Sequence, residues 1–235
     1  VDYRPYECWT IGSECDGGFA QFCVAPSPET HAVNCDWDDV ELAAIPCAYS
    51  TAEGMLHRAN LGAETVVVTG ASGGVGSAAV QLAKRRGARV IALCSASKVE
   101  AVKALGAGRV SDRDAELVAE LSGETIDVVV DRVAGPRWSS VLDVLRRGGR
   151  YAVAGAIAGP ICDIDVRTLY LKDLTLFGCT FQEDVVFENI VTYIEAGEIR
   201  PVIAKTYALR DIATAQEDFL AKRHTGQLVL IPPQG

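Results

Sequence analysis

The stretch from Val66 to Gly87 constrains this chain more than any other. It reads V-V-V-T-G-A-S-G-G-V-G-S-A-A-V-Q-L-A-K-R-R-G. A β-branched run, Val66 to Thr69, stops at Gly70, and glycines then recur every three residues at Gly70, Gly73 and Gly76. A helix-period pattern follows, with Val75, Ala79, Leu82 and Ala83 on one face and Gln81, Lys84, Arg85 and Arg86 mostly on the other. Gly87 stands where a helix-ending glycine belongs, and a second apolar strand begins at Arg89. The pattern predicts a β-turn-α-β unit whose glycines fall at the first βα turn. In such units the pyrophosphate of a dinucleotide rests on the helix N-terminus.

Each glycine has a physical task there. One permits the tight turn, one lets backbone approach phosphate without an intervening Cβ, and the last lets helix and strand pack closely. Gly70, Ser72, Gly73, Gly74, Val75 and Gly76 are therefore candidate phosphate-binding residues. The spacing is G-x-x-G-x-x-G rather than G-x-G-x-x-G, and a bare glycine triplet also fits a purely structural turn. The flanking strand, helix and second strand favour the nucleotide reading.

Downstream of Thr65 the strand-helix rhythm continues. Strands are expected at 65–69, 89–94, 108–111, 126–131 and 149–154, and helices at 74–86, 97–105, 114–122 and 137–147. Continuous apolar strands alternating with helices imply an α/β fold with a doubly wound parallel sheet covered on both faces. Upstream, residues 19–26 alternate like a strand, 38–44 read as a short helix starting near Asp36 or Asp38, and 50–60 read as a second helix. Toward the C-terminus, helices are expected at 184–197 and 211–224, the latter with Asp211 as N-cap, and strands at 202–209 and 226–231.

Composition narrows the partners. The 235 residues carry a formal charge of −9 and are 49% hydrophobic. A broad nucleic-acid surface or an anionic-membrane surface is not expected from such a balance. No apolar run approaches the ~18–20 residues a membrane helix needs. The eight cysteines (Cys8, Cys15, Cys23, Cys35, Cys47, Cys94, Cys162, Cys179) form no C-x-x-C pair, which points to a reduced, cytoplasmic chain. His31, His57 and His224 form no cluster, and the Asp36, Asp38, Asp39, Glu41 run reads as a solvated helix start. The one methionine is Met55, so Val1 is not a translation start: either the chain is processed or it is the C-terminal part of something longer.

The adenosine end of a dinucleotide is read after the second strand. An NAD enzyme places Asp or Glu there to hold the ribose hydroxyls. This chain has Cys94, Ser95, Ala96, Ser97 and Lys98, so no carboxylate in that segment repels a 2′-phosphate. Ser95 and Lys98 can donate to one, and Arg113, after the third strand, can reach the same pocket. The reading favours NADP over NAD, with Ser97 as a plain helix cap and Lys98 as a solvated first-turn residue as the alternative. Val133 and Ala134, after the fourth strand, and Gly155 and Ala156, after the fifth, mark the crevice at the strand ends where ligands bind in open α/β sheets. Loop packing alone is the alternative for these four residues.

The stretches D-G-G-F-A-Q-F (16–22), P-C-A-Y-S-T-A-E-G-M-L (46–56), 66–84, T-L-Y-L-K-D-L-T-L-F-G (168–178) and H-T-G-Q-L-V-L (224–230) occur in the order seen in one family. Through them the chain resembles the medium-chain dehydrogenase/reductase superfamily, the zinc-type alcohol dehydrogenases and quinone oxidoreductases. The resemblance implies a Rossmann domain joined to part of a GroES-like, β-rich catalytic domain. Residues 1–45 correspond to a remnant of that catalytic domain, 46–182 to the NAD(P)-binding Rossmann domain, and 183–235 to a C-terminal part whose last helix and tail return to the catalytic domain. About a hundred further residues are expected upstream. It also implies Thr51 on the helix facing the nicotinamide, and Cys47 as a zinc ligand, with a small buried thiol as the alternative. The implied reaction is hydride transfer between NADP(H) and an alcohol, aldehyde, ketone or quinone. Two rivals are kept: a zinc-free quinone or enone reductase, and a nucleotide-binding module without turnover. A homodimer or homotetramer pairing along the apolar stretch from Leu169 to Phe177 completes the expectation.

Overall fold

The β-branched run beside the glycine turn has no polar side to offer water, and it forms a strand at the centre of a sheet. The computed structural model describes residues 10–233. In it Val66, Val67 and Val68 of β1 (Thr65–Val68) have no exposed surface. Five more strands join it: β2 (Arg89–Cys94), β3 (Arg109–Asp112), β4 (Ile126–Asp131), β5 (Leu145–Val153) and β6 (Thr175–Gly178). Their order is β3-β2-β1-β4-β5-β6 and every pairing is parallel. Chain direction across the sheet reverses between β1 and β4, so the crevice at their C-terminal ends is where a fold of this topology receives a ligand.

Helices cover both faces, as a buried parallel sheet requires. The first are α1 (Asp39–Ala43), α2 (Ala48–Arg58) and α3 (Gly74–Arg85); next come α4 (Val99–Ala104), α5 (Leu117–Glu120) and α6 (Trp138–Asp143). Then follow α7 (Val166–Leu171) and α8 (Asp184–Glu195). Alternate residues of β1 divide the core. Val66 and Val68 pack with Ala52, Met55 and Leu56 of α2, Leu82 of α3 and Ile190 of α8, whereas Val67 packs with Leu117, Leu142 and Tyr151 on the opposite face. A second, two-stranded parallel sheet pairs β7 (Ile203–Ala208) with β8 (Gln227–Ile231), joined through α9 (Ile212–Ala221). Among the described residues no helix is long and apolar enough to cross a membrane.

Several expectations need correction. Residues 19–22 form bends, 23–26 are irregular and a 3₁₀ turn begins at Ser27, so no strand forms; Phe19, Phe22 and Val24 are exposed, and among the described residues no strand takes up their backbone. The helix expected over 137–147 stops at Asp143 and β5 starts at Leu145, four residues early, across a register shift against β4. The helix expected over 114–122 shrinks to Leu117–Glu120. Asp211 stands at the N-cap of α9, but its side chain makes no capping hydrogen bond. Asp38, by contrast, forms a reciprocal capping box with Glu41 at the start of α1.

Candidate functional site

The turn after β1 is built as its glycines demand. Gly70 has φ +57°, a left-handed conformation that glycine adopts freely. Its carbonyl accepts the Gly73 N–H at 3.0 Å. A Cβ on Gly76 would lie 2.1 Å from the Gly70 oxygen and 2.7 Å from the Ala71 Cα, so only glycine lets α3 close on the strand. Gly73 is the N-cap, and the amides of Gly74, Val75 and Gly76 open the helix, where no preceding turn supplies carbonyl partners. These donors, with the positive end of the helix dipole, suit an anion. The turn is therefore a cradle fit for a pyrophosphate. Gly74 is small for another reason: the Gln227 side chain lies where a Cβ would sit, 2.5 Å from its Nε2. The Gly226 N–H donates to the Ser72 carbonyl at 2.9 Å, which ties the start of β8 to the turn.

At the adenosine end, Lys98 does not wave in solvent. Its ammonium donates to the backbone carbonyls of Lys222 (2.8 Å) and His224 (2.6 Å), just beyond α9. Burial, then the neighbouring Arg113, pulls the Lys98 ammonium below the ordinary lysine range. Burial, then Lys98 and Lys222, likewise lowers His224. Lys98, Arg113 and Lys222 thus gather into one cationic cluster on a chain of net negative charge, with His224 held toward its neutral form beside them. Ser95 shares its hydroxyl with Ser97 at 3.3 Å. Arg113 donates its backbone N–H to the Cys94 carbonyl at 3.0 Å and pairs loosely with Asp114 at 3.4 Å. The Arg137 guanidinium donates to the carbonyls of Arg113 and Ala115 and holds that loop. Parallel pairing also sets Asp112 beside Cys94, so a carboxylate absent from the 94–98 segment is supplied by β3. It is exposed and accepts the Asp114 N–H at 2.9 Å.

At the other end of the crevice, the loops after β4 and β5 are laced together. Ala158 donates to the Val133 carbonyl at 2.9 Å and Ile157 to the Arg132 carbonyl at 3.4 Å. Val133 also reaches the glycine turn, its Cγ2 standing 3.3 Å from where a Gly70 Cβ would be. Buried Asp131 organises this end. It accepts from the Thr69 hydroxyl (2.5 Å), the Val133 N–H (2.7 Å), the Ala134 N–H (3.2 Å) and the Tyr151 hydroxyl (2.6 Å). Burial, reinforced by the Asp131 charge, pushes the Tyr151 phenol well up. Ala134 takes the strained φ of +51° within this loop. Gly155 and Ala156 follow on β5, and the guanidinium of Arg132 lies against Gly155. The structure thus sets Val133 beside Gly70, Ala134 on Asp131 and Gly155 against Arg132.

Thr51 and Cys47 arrive on α2. That helix is fixed by fully buried Glu53, which pairs with Arg86 at the end of α3 and accepts the Tyr193 hydroxyl of α8 at 3.3 Å. Cys47 precedes α2 with φ +67°, is exposed, and has Arg132 as an electrostatic neighbour. The alternative of a small buried thiol does not hold for it. One sulfur donor does not make a tetrahedral zinc site, and the described residues include no group of three His, Cys, Asp or Glu that could hold a metal. They do not by themselves fit zinc.

Local patterning missed Lys222, His224, Arg137, Gln227 and Arg132. The basic K-R-H run closing α9 and the arginine at the exit of β4 were the available signals.

A parallel sheet in the order 3-2-1-4-5-6 with a glycine cradle at its first βα turn defines a dinucleotide-binding α/β protein of Rossmann type. The comparisons sharpen this. Residues 74–196 match the model of the zinc-binding dehydrogenase family. An acryloyl-coenzyme A reductase from Metallosphaera sedula is 33% identical over 223 residues, 92% of this chain and 66% of that protein. A quinone oxidoreductase from Sus scrofa is 31% identical over 236 residues, 93% of this chain and 70% of that protein. A solved structure from Sinorhizobium meliloti 1021, assigned as an alcohol dehydrogenase, shares 45% identity at a TM-score of 0.93, covering 97% of this chain and 65% of that one. The chain belongs to the zinc-binding dehydrogenases of the medium-chain dehydrogenase/reductase superfamily. It spans about two thirds of these relatives' length, and a tenth of a Streptomyces orinoci polyketide synthase system protein that is 34% identical.

Proposed function

We propose that this chain is the cofactor-binding part of an NADP(H)-dependent oxidoreductase that moves a hydride between the nicotinamide and a small alcohol, aldehyde, ketone or quinone. The observation that carries the reading is the Gly70–Gly76 turn, a cradle closed so tightly that a single Cβ at Gly76 would collide with backbone. In this reading the amides of Gly74, Val75 and Gly76 hold the pyrophosphate. The cluster of Ser95, Lys98 and Arg113, joined by Lys222 and His224, takes the 2′-phosphate, since charge-assisted donors bind phosphate strongly. Asp112 beside Cys94 supports some use of NAD as well.

Bound there, the nicotinamide supplies or accepts the hydride. Val133, Ala134, Gly155 and Ala156 line its place, Thr51 faces it from α2, and the protein's share is orientation and exclusion of water. Residues 1–45 belong to the catalytic domain in this scheme, 46–182 to the Rossmann domain, and 183–235 to the returning tail. Exposed Val166, Tyr170 and Leu171 beside the edge strand β6 offer an apolar face to a second copy, as a dimer or tetramer.

A second reading, a zinc-free quinone or enone reductase, is favoured by one observation: the guanidinium beside Cys47 opposes a dication there. Titration of the protein with NADPH, followed by its fluorescence, tests the main reading. Saturable binding that NADH matches only at much higher concentration is expected, and no binding of either nucleotide refutes it. Metal analysis of the intact enzyme separates the two readings: zinc lost on Cys47→Ser favours the first.

A further inference from the structure

Arg132 brings a charge into the strand-end crevice and belongs to neither the phosphate cradle nor the adenosine-end cluster. Its backbone is pinned on both sides: the N–H donates to the Thr69 hydroxyl at 3.1 Å, and the carbonyl accepts from Ile157. Its side chain lies along Gly155. A Cβ on that glycine would come within 2.6 Å of Nε and 3.2 Å of Cζ and Nη2. Gly155 is small for the sake of Arg132, not only for a ligand. The Nε is buried and has no hydrogen-bond partner among the described residues. The charged or ionisable neighbours are Cys47 and Asp131. Asp131 supplies a negative charge nearby, but its oxygens accept from Thr69, Val133, Ala134 and Tyr151, and the buried Nε donates to none of them. A desolvated guanidinium with a buried, unpaired N–H costs stability, and a fold keeps one where the group is used. An arginine cannot escape by losing its proton.

We propose that Arg132 faces the nicotinamide ring and makes the site hold the reduced cofactor more tightly than the oxidised one. The two states of that ring differ by one unit of charge. Oxidised nicotinamide is a cationic pyridinium, whereas the dihydro form is neutral. A fixed guanidinium at the ring's end of the crevice repels the first and spares the second, so the reduced cofactor is held more tightly. Coulomb repulsion between two cations across a partly desolvated crevice supports a preference of about tenfold or more. The inference rests on the nucleotide reading above and deepens it: the nicotinamide end of the site tells the reduced cofactor from the oxidised one by charge.

The test needs binding alone. Dissociation constants for NADPH, from its fluorescence, and for NADP⁺, by displacement, are measured on the chain and on R132K, R132M and R132Q. The unmodified chain and R132K should hold NADPH about tenfold or more tightly than NADP⁺. In R132M and R132Q that preference should largely vanish, through a gain in NADP⁺ affinity, with NADPH changing less than about threefold. An unchanged ratio in either neutral variant overturns the proposal. So does parallel weakening of both nucleotides, the mark of an arginine that only supports the loop. A ratio near unity in the unmodified chain overturns it whether or not the variants fold. A chain that binds neither nucleotide refutes the nucleotide reading itself, and a ratio of one with firm binding refutes this inference alone.

Discussion

Gly76→Ala puts the close backbone packing of the glycine turn to a quantitative test. The added methyl would sit 2.1 Å from the Gly70 oxygen, 2.7 Å from the Ala71 Cα and 2.8 Å from the Gly70 carbonyl carbon. All three are backbone atoms, and Gly70 is already committed to φ +57°, so no side chain can rotate aside. Alanine gains about 1 kcal/mol of helix propensity over glycine. Forcing a methyl into packed backbone costs about 1–3 kcal/mol, sometimes more. Since every clash here is with main chain, the upper end applies and the net loss is about 2 kcal/mol. For a chain of this length that lowers Tm by about 4–8 °C. NADPH affinity should fall further than stability does, because relief of the clash moves the very amides that meet the phosphates. Gly74→Ala is the control. Its methyl meets only the end of the Gln227 side chain, which can swing away, so its cost should be under half as large. Thermal unfolding and NADPH titration of both variants decide the matter. A Gly76→Ala protein as stable as the parent, or a Gly74→Ala protein more damaged than it, would refute the reasoning.

Two other predictions follow from the ion pairs. Lys98→Glu should weaken NADPH binding by about tenfold or more and NADH by less than about threefold, read by parallel titrations; equal losses count against the 2′-phosphate assignment. Glu124 accepts from Arg89 and Arg109, which hold its carboxyl down to about 2. A carboxylate depressed in the folded state stabilises above its unfolded value of about 4.3 and loses that contribution as pH falls toward the folded one. Glu124→Gln should therefore lower the urea midpoint at pH 7 yet flatten its decline between about pH 4.5 and 2; a parallel decline in both proteins sinks the idea.

The parts of this fold legible in the sequence are those set by neighbours along the chain. Val66 to Gly87 declares strand, turn and helix through period and glycine position alone, and Asp38 with Glu41 declares a helix start. Residues 19–26 show the opposite case. Their alternation suits a strand, but a strand exists only where another lends it hydrogen bonds, and among the described residues none does. The early start of β5 escaped because Arg146 and Arg147 look like a helix end. Arg146 is instead drawn to Asp127 across the sheet, a contact 19 residues away. The same limit hid half of the adenosine-end cluster. Lys98 meets Lys222 and His224 across 124 and 126 residues, a distance that no local pattern spans. Arg132 was visible as a letter, but its burial against Gly155 was not.

The hydrogen bond from Gly226 to Ser72, with Gln227 draped over Gly74, makes the phosphate seat a joint product of two distant stretches of chain. An excised module cut after α8 would keep every glycine of the turn and still deliver a looser seat. Anyone grafting this Rossmann unit onto another protein should carry residues 226–231 along, because they form the seat's outer wall.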